Sequence, residues 1–278
     1  MTATTTDLAE GLYADARGVR THYHDAGTGH PVLFLHGSGP GVSGWANWRL
    51  NLPVLADRFR VLAPDVVGFG ATERPADVRY SLRSWTDHVW DFADAMGLER
   101  FSVVGNSLGG RIALEMANDR PERVARMVLM GSPGVGMTIT EGLRALRAYT
   151  PSPENMRDLL RTYFAVDPDL ITDDLVRIRY EASAAPGVHE AYTAMFTDSR
   201  HDGGNLGITE EQVRATATPS LLVHGREDRV VPADVSWTMV NLLPDADLRV
   251  FARCGHWTQI ERADEFNATV ADFLGRGQ

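Results

Sequence analysis

The stretch Phe101-Ser-Val-Val-Gly-Asn-Ser-Leu-Gly-Gly110, running on into Arg111-Ile-Ala-Leu-Glu-Met-Ala117, constrains what this chain can fold into more than any other. Phe101 to Val104 is a short apolar run with β-branched residues, as a buried parallel strand needs. Ile112, Leu114, Met116 and Ala117 then continue in helix-forming company. Ser107 stands at the corner, and Gly105 and Gly109 flank it in a G-x-S-x-G spacing. Small residues on either side let a strained strand-to-helix turn push the hydroxyl out over the sheet edge. The helix that begins there turns unpaired N–H groups and the positive end of its dipole toward the same spot. A strand–Gly–helix junction can also use its glycines for packing alone, so the serine's meaning depends on the rest of the chain.

The pattern around this elbow is regular. Residues Gly11 to Asp25 alternate apolar and polar, which predicts an antiparallel pair at a sheet edge with His22 and His24 as exposed neighbours on one strand face. A buried strand, Pro31 to Leu35, ends in His36 and the loop Gly37-Ser-Gly-Pro-Gly-Val-Ser-Gly44. A dinucleotide fingerprint with Asp65 as ribose acid is disfavoured there, because Pro40 interrupts the loop and a hairpin precedes the strand. The alternative is an oxyanion loop, in which the amide of Ser38 or Gly39 faces that of Leu108. A helix over Ser84 to Gly97, the elbow, and a strand over Val124 to Met130 complete an alternation that implies a parallel sheet covered on both faces. Residues 135–207 read instead as short helical patterns broken by prolines, an inserted helical lid, and sheet logic resumes near Thr218. The expected organisation is an α/β core of residues 1–134 and 208–278 around a lid of residues 135–207.

With 278 residues, 44% hydrophobic and 23% charged, the chain can bury a substantial core, and no run approaches the ~20 apolar residues of a membrane span. The net charge of −10 argues against nucleic acid. An anionic ligand would therefore need a specific arginine. The polar first residues suggest no secretory signal, and the single cysteine, Cys254, fits a reducing cytoplasm. No cofactor is called for, and no acid or cysteine is spaced to complete a metal site with His22 and His24.

A serine at such an elbow is a poor nucleophile until a base takes its proton, and the base needs a third group to fix its tautomer. Asp228 follows one buried strand and His256 follows the next, so both can reach the sheet rim where Ser107 sits. The order Ser, Asp, His is that of the α/β-hydrolase fold. Glu227 is the alternative acid, and Cys254 reads as a small packing residue. A helix capped by Thr172 would carry Leu175, Ile178, Arg179 and Ala182 on one stripe, with Arg177 nearly opposite. An arginine on an apolar face either snorkels or serves a buried anion.

The stretches His36 to Trp48, Gly105 to Gly110, Arg179 to Ser183 with Pro186-Gly187, His224 to Asp228 and Cys254 to Gln259 together resemble the meta-cleavage product hydrolases, and the lid motif is most similar to their 2-hydroxymuconate semialdehyde hydrolase branch. The resemblance implies hydrolysis of a carbon–carbon bond in a 2-hydroxy-6-oxohexa-2,4-dienoate, giving 2-hydroxypenta-2,4-dienoate and a small carboxylic acid. It implies Ser107, Asp228 and His256 as catalytic groups, amides of Leu108 and of Ser38 or Gly39 around the oxyanion, and a carboxylate held by Arg179, Asn47 and Asn106 with Trp257 against the substrate. It also implies a homodimer or larger assembly. A lid of modest length leads to the expectation of little room beyond the scissile bond. An esterase or lactonase with the same triad, and a ligand-binding receptor on the same fold, are the competing readings.

Overall fold

The computed structural model describes residues 5–197 and 205–276. Its core is an eight-stranded sheet in the order β1-β2-β4-β3-β5-β6-β7-β8, formed by Leu12–Ala16, Val19–Ala26, Pro31–Leu35, Arg60–Pro64, Phe101–Asn106, Val124–Met130, Ser220–Gly225 and Ala246–Phe251 in chain order. β2 runs antiparallel to both its neighbours, and β4, β3, β5, β6, β7 and β8 are mutually parallel.

The continuous apolar runs of the central strands supply two cores at once. Alternate residues point to opposite faces, so Leu33, Leu35, Val103, Leu129 and Leu222 pack on one side and Val32, Phe34, Val104, Val128 and Val223 on the other. Trp85, Val89 and Phe92 of helix Leu82–Ala95, with Ile112 and Met116 of helix Leu108–Asp119, cover the first face. Trp48, Phe266, Val270 and Leu274 cover the second. Helix Leu82–Ala95 starts at a Ser81–Ser84 capping box two residues before the expected start. Gly97, at φ +66, ends it.

The chain passes from β3 to β4 on one side and then to β5 on the other. This opens a crevice at the C-terminal ends of β3 and β5, where open α/β sheets receive ligands. The residue 37–44 loop and Ser107 lie at that point.

Between β6 and β7 the described residues form helices and no strand: Glu141–Arg147, Pro153–Leu159, a π-helical turn Leu160–Phe164, a short turn Pro168–Leu170, Asp173–Ala184, Val188–Thr197 and, past the lid segment, Glu210–Arg214. Pro153 and Pro168 occupy first positions of their helices, where a missing N–H costs nothing, so they start these elements as well as interrupting the pattern. Part of the 135–207 segment falls in residues 198–204, outside the described residues.

Three expectations need correction. The strand before His256, expected to be buried, is the edge strand Ala246–Phe251, in which only Phe251 is buried. His22 and His24 are not exposed: they retain 8% and 1% of their accessible surface. An N-terminal helix, Thr5–Glu10, packs against β2 and offers its carbonyls to both rings, Leu8 O to His24 Nδ1 at 2.7 Å and Glu10 O to His22 Nε2 at 3.1 Å. The lid helix Asp173–Ala184 is capped by Thr172 as expected, yet its buried residues are Val176, Arg179 and Ser183, whereas Ile178 is 52% exposed. The inward face is rotated by about one residue, and Arg179 stays inside because it borders both stripes.

Candidate active site

Ser107 takes φ 52 and ψ −114, a conformation that L-residues adopt only under constraint, between β5 and the helix it caps. Its N–H donates to Met130 O on β6, and its carbonyl accepts from Arg111 N. The flanking glycines are required by contact as well as by torsion. A Cβ on Gly105 would lie 2.2 Å from Gly109 O, and one on Gly109 would lie 2.2 Å from Leu35 O. The elbow is thus welded to both neighbouring strands, and the helix's first N–H, on Leu108, has no intrahelical acceptor.

His256 and Asp228 meet above β7. His256 Nδ1 is 2.7 Å from Asp228 Oδ2, and both residues are buried. Asp228 Oδ1 accepts from Val230 N and Val231 N at 2.8 and 2.9 Å. Burial alone would raise this carboxyl's pKa, but the facing His256 and His224 rings outweigh it and hold the value down at about 2. Glu227, the alternative acid, turns instead to Cys254 N and to the Arg226 guanidinium. Cys254 is buried, and burial pushes its thiol up to about 12, which makes it inert as a nucleophile.

Ser107 and His256 line one small cavity of about 20 Å³ with Ser38, Gly39, Asn47, Asn106, Arg179 and Trp257. Every site residue expected from the sequence therefore borders this cavity except Asp228, which stands behind His256, and Leu108, which follows Ser107. Arg179 is 4% exposed. Its Nη2 donates to Pro40 O at 2.8 Å, and its Nε has no partner. Burial and the nearby Arg49 guanidinium lower its pKa to about 10, so it stays cationic at neutral pH. Its Cζ lies 5.7 Å from the Trp257 ring centroid. Asn47 is also buried with an unpartnered Nδ2, while Asn106 Nδ2 donates to Met130 O at 3.3 Å. A desolvated guanidinium and an idle amide donor facing one cavity are what a carboxylate would satisfy.

A second cavity of about 280 Å³ shares Ser38 and Ser107 with the first and extends away from Arg179 among Met137, Ile139, Leu143, Leu146 and Phe196. The expectation of little room beyond the scissile bond is not met. Apolar side chains from the helical segment surround a space larger than a hydrogen or methyl substituent needs. A surface groove of about 440 Å³ passes outside Arg179 and Trp257 and is not lined by Ser107.

Sequence reasoning missed two residues that hold the site together. Phe164, at the end of the π-helical turn, accepts from His256 N at 2.8 Å and Trp257 N at 3.3 Å through its carbonyl, and its ring packs edge-on to His256. Glu261 joins the same parts, taking Gly255 N on one oxygen and Val166 N on the other. Nothing local in the sequence marks Phe164. Glu261, a carboxylate three residues after a Trp257-Thr258 helix start, was visible only as a helix-start acid.

Asp65 is a structural clamp, not a ribose ligand. It is 1% exposed, accepts from Gly44 N at 2.6 Å and Ala71 N at 2.8 Å, and pairs with His22 Nδ1 at 2.9 Å. It thereby fixes the start of helix Gly44–Trp48, which carries Asn47. Burial opposes charging of His22, but its bond to Asp65 prevails and raises its pKa. A raised histidine pKa contributes stability that is fully present below the unfolded value of about 6.5 and is lost as pH rises through the folded value. The melting temperature should therefore fall as pH rises above about 6.5 more steeply in the wild type than in His22→Gln. Parallel slopes in a pH series of thermal melts would refute this.

A model of the α/β-hydrolase fold family matches residues 30–263. A 2-hydroxymuconate semialdehyde hydrolase from Pseudomonas sp. strain CF600 is 50% identical, covering 93% of this chain and 92% of that protein. A 2-hydroxy-6-oxo-2,4-heptadienoate hydrolase from Pseudomonas putida is 45% identical, covering 93% and 94%. The solved structure of a meta-cleavage product hydrolase from Pseudomonas fluorescens IP01, a variant complexed with acetates, matches with a TM-score of 0.92 at 48% identity over 96% of this chain and 98% of that one. With the elbow, the buried Asp–His pair and the uncompensated arginine in the same cavity, these similarities establish that the chain belongs to the α/β-hydrolase family and, within it, to the meta-cleavage product hydrolases.

Proposed function

We propose that this protein hydrolyses the C5–C6 bond of 2-hydroxymuconate semialdehyde or its 6-methyl analogue in the breakdown of aromatic compounds. The observation that carries the reading is Arg179, buried with no acidic partner among the described residues and opening onto the same cavity as Ser107 and His256. An ordinary esterase has no use for a desolvated cation there. The printed names of the two relatives reported above, both dienoate hydrolases, support the same choice.

Arg179 and Asn47 bind the substrate carboxylate and its neighbouring oxygen, and Trp257 braces the guanidinium. Breaking a carbon–carbon bond requires a carbon leaving group, so the 2-hydroxydienoate first moves its enol proton to C5 and becomes a 2-oxo compound. His256, oriented by Asp228, carries protons in that step and then activates Ser107, or a water beside it, for attack on the C6 carbonyl. The resulting oxyanion meets the amides of Leu108 and of Ser38 or Gly39; Ser38 borders both cavities. Collapse breaks C5–C6, and the electron pair runs through the C3–C4 double bond onto the C2 oxygen. Proton return gives 2-hydroxypenta-2,4-dienoate; C6 leaves as formate or acetate directly where water attacked, or, where Ser107 attacked, after a water activated by His256 hydrolyses the Ser107 ester. The residue 135–207 segment serves as the lid of this pocket, with Phe164 and Arg179 among its fastenings to the core.

No helix among the described residues is long and apolar enough to cross a membrane. The buried Cys254 thiol supports a cytoplasmic setting, and a homodimer or larger homo-oligomer follows the resemblance. The deciding experiment is loss of the yellow dienoate's visible absorbance on adding the protein, with p-nitrophenyl acetate and a lactone as controls. Rapid bleaching with kcat/KM at least a hundredfold above the ester supports the reading. Ester turnover without bleaching would make the protein an esterase, and binding without turnover would make it a receptor.

A further inference from the structure

Asp228 does not face one imidazole but two. His224, on β7 and fully buried, places Nε2 3.2 Å from Asp228 Oδ2, the oxygen that also receives His256 Nδ1. The same Nε2 is 2.8 Å from Val231 O, and Nδ1 is 2.7 Å from Ser236 Oγ on helix Ala233–Leu242. A carbonyl and a carboxylate can only accept, so Nε2 must carry the proton and divide it between them. In the neutral ring Nδ1 is then an acceptor, and the Ser236 hydroxyl, which can play either role, donates to it.

We propose that His224, held as the Nε2–H tautomer by the Val231 carbonyl, is a positioning residue that holds the Asp228 carboxylate and moderates its pull on His256. The inference rests on Asp228 and His256 acting as proposed above. Four donors surround the carboxylate: two amides fix Oδ1, and two rings share Oδ2. The amides and His224 prevent the carboxylate from rotating, so Oδ2 stays aimed at His256 Nδ1. Sharing Oδ2 also matters electronically. A carboxylate oxygen already accepting one hydrogen bond is a weaker acceptor for a second, so His256 is less strongly stabilised as an imidazolium than it would be against an otherwise free oxygen. A base that must be neutral to take the serine proton benefits from that restraint.

The neighbouring charged groups are engaged elsewhere. Glu227 serves Cys254 N and Arg226, Arg229 donates to Thr162 O, and Glu261 serves Gly255 N and Val166 N.

Three variants test the proposal. His224→Leu removes the donor, His224→Gln keeps an amide donor near the Nε2 position, and Ser236→Ala removes only the hydroxyl at Nδ1 and should leave the Nε2–H tautomer in place. Nitrogen-15 NMR of the free protein should show His224 of the wild type as a neutral Nε2–H ring. In His224→Leu the His256 Nδ1 proton should resonate further downfield, because His256 then has Oδ2 to itself. In dienoate turnover the acidic limb of kcat/KM should move to higher pH by about half a unit to one unit. Its kcat should fall by about tenfold with KM changed less than twofold, and His224→Gln should recover most of both effects. Thermal melts normalise activity to the folded fraction. An Nδ1–H tautomer for His224 in the wild type, or a Leu variant whose pH limb and His256 resonance both stay in place, overturns the proposal. The NMR arm needs no substrate, so failure to cleave dienoates leaves it decisive.

Discussion

Ser107→Ala is expected to fold and melt like the wild type, bind a dienoate with similar affinity, and lose cleavage by a factor on the order of 10³ to 10⁶, the range seen when one member of a nucleophile–base unit is removed. The elbow depends on the Gly105 and Gly109 contacts and on the Ser107 backbone bonds to Met130 and Arg111, none of which uses the hydroxyl. Relief of the positive φ does not follow from this change, since alanine has the same Cβ. Single-turnover spectroscopy separates the steps: ketonisation should persist in Ser107→Ala, whereas His256→Ala should slow both ketonisation and cleavage because one base moves both protons. Cleavage within tenfold of the wild type in Ser107→Ala would remove the serine from the mechanism. Full-rate ketonisation in His256→Ala would assign that step to another base.

The parts of this site that could be read from sequence are those whose chemistry and backbone demand the same residues. Gly105, Ser107 and Gly109 announce a strained turn because their spacing has few other uses. Asp228 and His256 could be placed because each follows a strand of the parallel sheet, buried β7 for the acid and the edge strand β8 for the base, and parallel strands end on one rim. Phe164 was invisible for the opposite reason: its carbonyl does the work, and any residue has one. The burial of His22 and His24 depended on helix Thr5–Glu10, six residues too few to show a helical period. The far cavity was misjudged because lid length does not report where helices Glu141–Arg147 and Val188–Thr197 stand relative to Ser107; Leu143, Leu146 and Phe196 frame a space that lid length did not reveal. Steric exclusion therefore does not explain a preference for hydrogen or methyl at C6. A phenyl ketone should at least bind.

The lid helix shows both how far a periodicity argument reaches and where it fails. It singled out Arg179 over Arg177, and the structure buries the first and leaves the second paired at the surface with Asp174 and Glu181. It chose the wrong partners, since Leu175, Ile178 and Ala182 line the outer groove while Val176 and Ser183 go inward. A helix lying between two layers has no single apolar stripe. What distinguishes Arg179 physically is the absence of a carboxylate for a guanidinium removed from water. Arg179→Gln should accordingly weaken dienoate binding by about one to two decades, the worth of a charge-assisted hydrogen bond of about 1.5–3 kcal/mol, and slow ketonisation as the carboxylate loses its anchor. Its melting temperature should be no lower than that of the wild type, because the substitution removes a desolvated cation that no acid among the described residues compensates, at the cost of the bond to Pro40 O and the contact with the Trp257 ring. Arg177→Ala gives up solvent-exposed pairs worth little and should change neither KM nor kcat by more than about twofold. Dienoate kinetics and thermal melts on the two variants decide the matter together. A stable Arg179→Gln protein with unchanged KM would mean that the buried charge serves the Pro40 loop and not a substrate.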